Sequence, residues 1–330
     1  MTPLSRHSSR HAKANTKTMT KTSPLRYPCV LSIAGSDSGG GAGIQADIKT
    51  IAALGCYATT AITALTAQNT LGVQAVEPVS SRFLELQIRS VLDDMAVDSV
   101  KVGMFASLEN LALITELLKH YPVEHVVFDP VMKSTSGASL VSAHQSQTNT
   151  PSTALIDGVI ALMRESSLFT PNLMEASYLL GREVVNTQDM QEAAAALIDL
   201  GANAVLIKGG HLEEHLDESP ASSEIREGAS RTGSTNTGKT SAHVTDIFMD
   251  RSLTPLLLSS PRLESLNLHG TGCTLSSAVA SYLASGTSLP DAVRSGRAFL
   301  LKAIQAGAQQ RFNGAGPLNH GFAPLATQLI

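Results

Sequence analysis

From Pro28 to Ala308, short apolar runs alternate with segments of helical periodicity, and this alternation constrains the fold more than any other feature of the chain. Strands are expected at Pro28–Ala34, Thr59–Leu65, Ser99–Val102, His125–Phe128, Leu168–Thr170 and Ala204–Ile207. Helices are expected at Ile44–Leu54, Phe83–Met95, Leu108–Leu118, Leu173–Leu180, Met190–Leu200, Cys273–Ala284 and Ala292–Ala308. Strands that are apolar throughout need cover on both faces. The pattern therefore predicts an α/β fold with a mostly parallel central sheet covered by helices on both faces.

The length of 330 residues suits one such domain, expected over 28–330. Ahead of it, Met1 to Arg26 carries Arg6, Arg10, Lys13, Lys17, Lys21 and Arg26 and no acid. It lacks the apolar core of a secretory signal and reads as a disordered basic tail over 1–27. Two polar stretches, Ser142–Thr153 and Glu213–Ala242, interrupt the rhythm; the α/β pattern resumes after each, so they read as surface insertions.

Charge and cysteine usage exclude several classes. Lys and Arg number 24 against 28 Asp and Glu, a net charge of -4, so nothing draws the chain to nucleic acid. No apolar run approaches the ~20 residues that span a bilayer, so no membrane association is expected. Cys29, Cys56 and Cys273 lie far apart and form no CxxC pair. A zinc site or disulfide framework is not expected, and a reducing, cytoplasmic location is.

Three motif matches fail for lack of structural context. Gly233 to Thr240 fits the Walker A pattern, but a polar segment precedes it where a buried strand is required. His211-Leu-Glu-Glu-His215 fits a zinc-protease pattern yet runs into a polar loop with no third ligand. Gly41 to Ala46 fits a loose dinucleotide fingerprint, but no acid closes the next strand.

The residues that carry chemistry fall where strands end. His269-Gly270-Thr271-Gly272-Cys273-Thr274 precedes an Ala-rich helix. Small residues permit close backbone approach, and the first N–H groups of a helix are unsatisfied donors in a positive field, which together make an anion hole. Its dipole is expected to lower the Cys273 thiol below its free value of ~8.5, making it a candidate base; a buried small hydrophobe is the alternative. Gly35 to Asp47 is a Gly-rich turn entering a helix, and Asp47 either reaches a polar ligand group or is an exposed helical acid. Gln68-Asn69-Thr70 closes a strand with amides suited to a heteroaromatic edge, or is a plain polar loop. Asp129, Thr170 to Glu175 and Lys208 complete the set: carboxylates suit Mg²⁺, lysine suits phosphate, and Asn172 with Glu175 also fits a helix cap with its reciprocal acid.

Together these motifs resemble the hydroxymethylpyrimidine/phosphomethylpyrimidine kinases of thiamine biosynthesis, within the ribokinase superfamily. The resemblance runs from about Val30 to Ala308 and includes Lys101-Val102-Gly103-Met104 and Asp129-Pro130-Val131-Met132. It implies a ribokinase-like fold and ATP-dependent phosphorylation, with Mg²⁺, of a hydroxymethylpyrimidine and then of its monophosphate. It further implies that Asp47 and Gln68 bind the pyrimidine, with Gly35, Met104 and Val131 lining its pocket. Gly270, Thr271 and Gly272 would form the anion hole beside Cys273 as base. Asn172, Glu175 and Lys208 would hold phosphates and magnesium, with Asp129 nearby, and the assembly would be a homodimer. A pyridoxal kinase of the same superfamily and a non-catalytic pyrimidine sensor are the alternatives.

Overall fold

The computed structural model describes residues 25–132, 152–210, 243–327 and 329–330. The sheet grows outward from β1 (Cys29–Asp37), which pairs in parallel with β2 (Tyr57–Asn69) on one side and β4 (Ser99–Val102) on the other. Beyond β4, the strands β5 (His125–Phe128), β6 (Leu168–Phe169) and β7 (Ala204–Ile207) continue in parallel. Antiparallel strands close both edges: β3 (Gly72–Pro78) on β2, and β8 (His243–Asp250) then β9 (Leu256–Pro261) on β7. The order is β3-β2-β1-β4-β5-β6-β7-β8-β9.

Among the described residues, eight helices cover this sheet: α1 (Gly43–Ala53), α2 (Ser81–Leu92), α3 (Leu108–His120), α4 (Thr153–Glu165), α5 (Leu173–Leu180), α6 (Thr187–Asp199), α7 (Thr271–Ala284) and α8 (Leu289–Gly307). Strand residues split between the two faces by the two-residue period of the pleat. Leu31, Val100, Val102, Val126, Phe128, Val205 and Ile207 share a core with α2 to α6. Val30, Val127, Leu168, Ala204 and Leu206 share the other with Ile51 of α1, α7 and α8. The expected two-sided parallel sheet is the one observed.

Four elements were not expected. The hairpin strand β3 is mostly exposed, so it lacks the apolar run used to find strands. β8 and β9 follow the second polar stretch. α4 begins at Thr153, inside the stretch read as an insertion, and buries Leu155, Val159, Leu162 and Met163. Its Gly158 lets α3 approach: a Cβ there would meet Leu111 Cδ2 at 2.8 Å.

The tail boundary also shifts. Arg26 pairs with Asp98, and its backbone N–H and C=O exchange hydrogen bonds with Ile330 at 3.1 and 2.9 Å. Residues 1–24 of the tail, 142–151 and 213–242 of the two polar stretches, and the Walker-like and zinc-protease-like matches lie outside the described residues. Among the described residues, no helix is long and apolar enough to cross a membrane.

β1 sits where strand order reverses, with β2 leaving to one side and β4 to the other. In open α/β sheets the crevice at the carboxyl ends of such strands receives ligands. The Gly35 to Asp47 turn, Gln68, Asp129, Asn172, Lys208 and the His269 to Thr274 run lie at or beyond strand ends on that side of the sheet.

Candidate active site

α7 starts at Gly270, whose φ of 86° is left-handed and whose side would hold no Cβ: one built there falls 1.9 Å from the Gly41 carbonyl oxygen. The two glycine-rich turns are thus in backbone contact. No side chain caps α7. Thr271 N–H donates to Leu268 and Thr274 N–H to Gly270, but the N–H groups of Gly272 and Cys273 have no backbone acceptor among the described residues. Of the expected anion-hole residues, Thr271 has its N–H engaged, which leaves the Gly272 and Cys273 N–H groups as donors at the positive end of a 14-residue helix.

Charged side chains stand around that hole. Lys208, at the end of β7, donates to Asp129 Oδ1 at 2.5 Å, at the end of β5. A Cβ on Gly272 would sit 3.4 Å from Asp129 Oδ2 and 3.5 Å from Lys208 Nζ, so this pair lies against the hole's backbone. Glu175 completes the group. Burial, then Asp129, push its carboxyl up to about 7, against the pull of Lys208. Burial alone would lower Lys208, but Asp129 and Glu175 outweigh it and hold the ammonium above its usual range. Asn172 and Glu175 also form the reciprocal cap of α5: Glu175 N–H donates to Asn172 Oδ1 at 2.8 Å, and Asn172 N–H to Glu175 Oε2 at 2.7 Å. The capping reading of this pair is the one observed, and the cap fixes Glu175 near Lys208.

Two expectations need correcting. The helix terminus does not leave Cys273 with a lowered thiol. Burial pushes it up to about 11, with Asp47 and Asp129 adding to the rise while Lys101 and the Gly43 N–H oppose it. Asp47 is neither an exposed acid nor open to a ligand. It is fully buried, and its carboxylate accepts from Lys101 at 2.9 and 3.0 Å, Ser32 at 2.6 Å and Ser277 at 2.7 Å. It ties β1, β4, α1 and α7 together beneath the hole. Lys101 is the residue missed. Its signal was legible: a lysine inside an apolar strand, sharing a face with Ser99, requires a buried acid as partner.

The ligand-facing residues do assemble. Met104 lies over Gly35, where a Cβ would meet its sulfur at 2.8 Å. Met104 packs with Ala64 and Ala106, and Val131 and Val76 lie against them. This apolar wall ends at Gln68, whose side-chain amide lies 3.0 Å from His269 Nε2 and 3.1 Å from the Thr66 hydroxyl. His269 in turn lies 2.9 Å from Asp37 Oδ2. Gly35 with Met104 and Val131, Gln68 with His269, and Asp129 with Lys208 at Gly272 thus stand toward the carboxyl ends of neighbouring strands, with Cys273 near the start of α7 and Asp47 buried beneath.

A family model described as phosphomethylpyrimidine kinase matches residues 37–319, which include every candidate site residue but Gly35. The chain belongs to the phosphomethylpyrimidine kinase family. It is therefore a kinase, a phosphotransferase. A hydroxymethylpyrimidine/phosphomethylpyrimidine kinase of Rhizobium meliloti is 40% identical over 296 residues, covering 88% of this chain and 96% of the relative. A probable thiamine biosynthetic bifunctional enzyme, chloroplastic, of Oryza sativa is 41% identical over 281 residues, or 85% of this chain; those residues span 45% of that longer relative. Among solved structures, an ADP complex of Bacillus subtilis pyridoxal kinase superposes with a TM-score of 0.72 at 30% identity, covering 89% of this chain and 98% of that one.

Proposed function

We propose that the chain transfers the γ-phosphoryl group of ATP to 4-amino-5-hydroxymethyl-2-methylpyrimidine and then to the resulting monophosphate, as a step of thiamine biosynthesis. The observation that carries this reading is the meeting of two free helix N–H groups with the Asp129–Lys208 pair at Gly272. Phosphoryl transfer asks for positioning and charge stabilisation more than covalent chemistry, and such donors stabilise charge that develops on the moving group.

The residues divide the work. Gly270, Thr271 and Gly272 hold the transferring group, and Cys273 beside them takes the proton of the acceptor hydroxyl. Lys208 and Asn172 sit with the nucleotide phosphates. Asp129 and Glu175 would hold Mg²⁺, a hard cation commonly bound by one or two carboxylates together with substrate phosphates. A buried carboxyl raised by burial and by the neighbouring Asp129 carboxylate fits that ion, and among the described residues no larger donor cluster competes for it. When bound, the ion neutralises phosphate charge. Gln68 offers one acceptor and one donor to the aminopyrimidine edge, and Gly35, Met104 and Val131 hold the ring.

Pyridoxal is the second acceptor to weigh, because of the structural likeness to a pyridoxal kinase. Identity favours the pyrimidine kinases: 40% against 30%. The reading further places one kinase domain over 28–330 in the cytoplasm as a homodimer; the exposed Leu65, Leu71, Phe83 and Leu86 around β2, β3 and α2 offer apolar surface for a second copy. An MgATP-dependent assay run in parallel on the hydroxymethylpyrimidine, its monophosphate and pyridoxal tests the activity. Turnover of both pyrimidines with poor use of pyridoxal is expected. Preference for pyridoxal overturns the acceptor assignment, and no turnover of any of them leaves a binding protein.

A further inference from the structure

His269 closes a chain of polar groups to which the proposed reaction assigns no part. Its Nε2 meets both Asp37 Oδ2, at 2.9 Å, and the Gln68 amide, at 3.0 Å. Asp37 is buried, and its oxygens also accept the N–H groups of Gly39, Gly41 and Ala42 at 2.8, 3.0 and 2.8 Å. Burial pushes its carboxyl up, but the His269 bond and the N–H groups of Ala42 and Gly39 outweigh that and hold it below the usual carboxylate range. Asp37 is therefore an anion and only accepts.

The proton placement follows. His269 Nε2 must carry hydrogen to donate to Asp37, and a nitrogen that carries hydrogen cannot accept from an amide N–H. The structure sets Gln68 Nε2 toward His269 and Oε1 toward Thr66; turned over, the amide brings its carbonyl oxygen to share the His269 N–H with Asp37 and its nitrogen to Thr66. Its N–H then donates to the Thr66 hydroxyl at 3.1 Å, and that hydroxyl donates to the Ser36 carbonyl at 3.0 Å. The free lone pair and the free N–H of the amide remain for a ligand.

The ring itself is held in place. The main-chain N–H of His269 donates to the Gly316 carbonyl at 3.1 Å, which fixes the backbone that carries the ring. Gly41 has room for nothing larger: a Cβ there would fall 2.4 Å from His269 Cδ2. Asp37, Gly41 and His269 thus form a fixed bracket between the first glycine turn and the residue that begins the anion hole.

We propose that His269, held by Asp37, is a positioning residue that fixes the orientation of the Gln68 amide and so selects an acceptor with an adjacent ring-nitrogen acceptor and exocyclic amino donor. An aminopyrimidine presents that edge. A pyridine bearing a hydroxyl and an aldehyde does not. The inference rests on the reading of Gln68 as the pyrimidine contact.

A double-mutant cycle tests it. Dissociation constants for the hydroxymethylpyrimidine are measured by calorimetry for the wild type, His269→Ala, Gln68→Ala and the double variant, with KM for ATP as control. His269→Ala is expected to raise the pyrimidine Kd about tenfold, the effect of one lost oriented hydrogen bond. It should leave KM for ATP within about twofold. His269→Gln, which restores an N–H donor, should recover most of the binding. In the Gln68→Ala background, removing His269 should change nothing further. Additive losses, or a neutral His269→Ala beside a damaging Gln68→Ala, overturn the positioning role alone. A neutral Gln68→Ala overturns the underlying contact as well. Should His269→Ala not fold, Asp37→Asn takes its place in the cycle with the same expectations.

Discussion

Lys101 and Asp47 form an ion pair that water does not reach: both side chains are 0% exposed, and Nζ lies 2.9 Å from Oδ2. Ser32 and Lys101 are register neighbours on β1 and β4, and both reach the same carboxylate from α1. Ser277 reaches it from α7, one turn beyond Cys273.

Breaking this pair should cost far more than removing it. Lys101→Met leaves a buried anion without its cation and should lower the unfolding free energy by about 3–5 kcal/mol, since the uncompensated charge has no solvent. Lys101→Met combined with Asp47→Leu should recover part of that loss, because two apolar side chains need no partner. Urea unfolding of the singles and the double measures both. A double variant less stable than either single would show that the pair stabilises the fold on its own account.

The glycines at α7 and α5 offer a controlled contrast. Gly181 has φ of 64° and would meet nothing within 4 Å, so Gly181→Ala should cost only the left-handed strain of about 1–2 kcal/mol. Gly270 has φ of 86°, and its Cβ would also fall 1.9 Å from the Gly41 carbonyl oxygen. Gly270→Ala must push the two glycine turns apart, so turnover should fall by two orders of magnitude or about that. Thermal unfolding and kcat for both variants check the difference. Equal behaviour would mean that the turns need not touch.

Strand ends were legible because β4, β5 and β7 are short and rich in Val, and each stops at a sharp change of residue type, Gly103, Asp129 or Lys208; their expected bounds match the observed ones. The site inherits that clarity, since Asp129 and Lys208 are simply the next residues. What a linear pattern does not carry is direction. Asp47 lies in the first turns of α1, and only packing of α1 against α7 decides that it turns inward onto Lys101 rather than out to ligand. The Cys273 thiol was misjudged for a related reason: the helix terminus is visible in sequence, whereas the burial that outweighs it comes from α1 and β4. β3 was missed because an exposed edge strand has no apolar signature.

Glu175 makes stability depend on pH. Its carboxyl stands at about 7 in the folded chain against 4.5 for a free glutamate. The folded state favours the neutral form, so its contribution is fully present below pH 4.5 and is lost as pH rises through 7. Glu175→Gln keeps an oxygen for the Asn172 N–H and cannot ionise. Its stability relative to the wild type should therefore improve between pH 5 and pH 8, as about an order of magnitude in the folding constant per unit of unmatched titration. Added Mg²⁺, competing with the proton, should stabilise the wild type more at pH 8 than at pH 5, and Glu175→Gln hardly at all. Parallel urea curves at both pH values would remove Glu175 from this role.

Cys273 carries the sharpest pH prediction. With the thiol pushed up to about 11, the ligand-free chain holds it protonated at neutral pH, and the thiolate fraction grows with every step toward alkaline. If the thiolate takes the proton of the acceptor hydroxyl, log kcat/KM should climb with a slope near one across about pH 6 to 9. Phosphoryl transfer tolerates a scarce base, because its loose transition state demands little nucleophilic push. Cys273→Ala should lower kcat by about 10²–10⁴ and flatten the profile, while pyrimidine Kd stays near the wild-type value. Alkylation by iodoacetamide should follow the same climb, since it reads the same thiolate. A wild-type profile that is flat while alkylation rises would separate the two events and assign the proton to another acceptor.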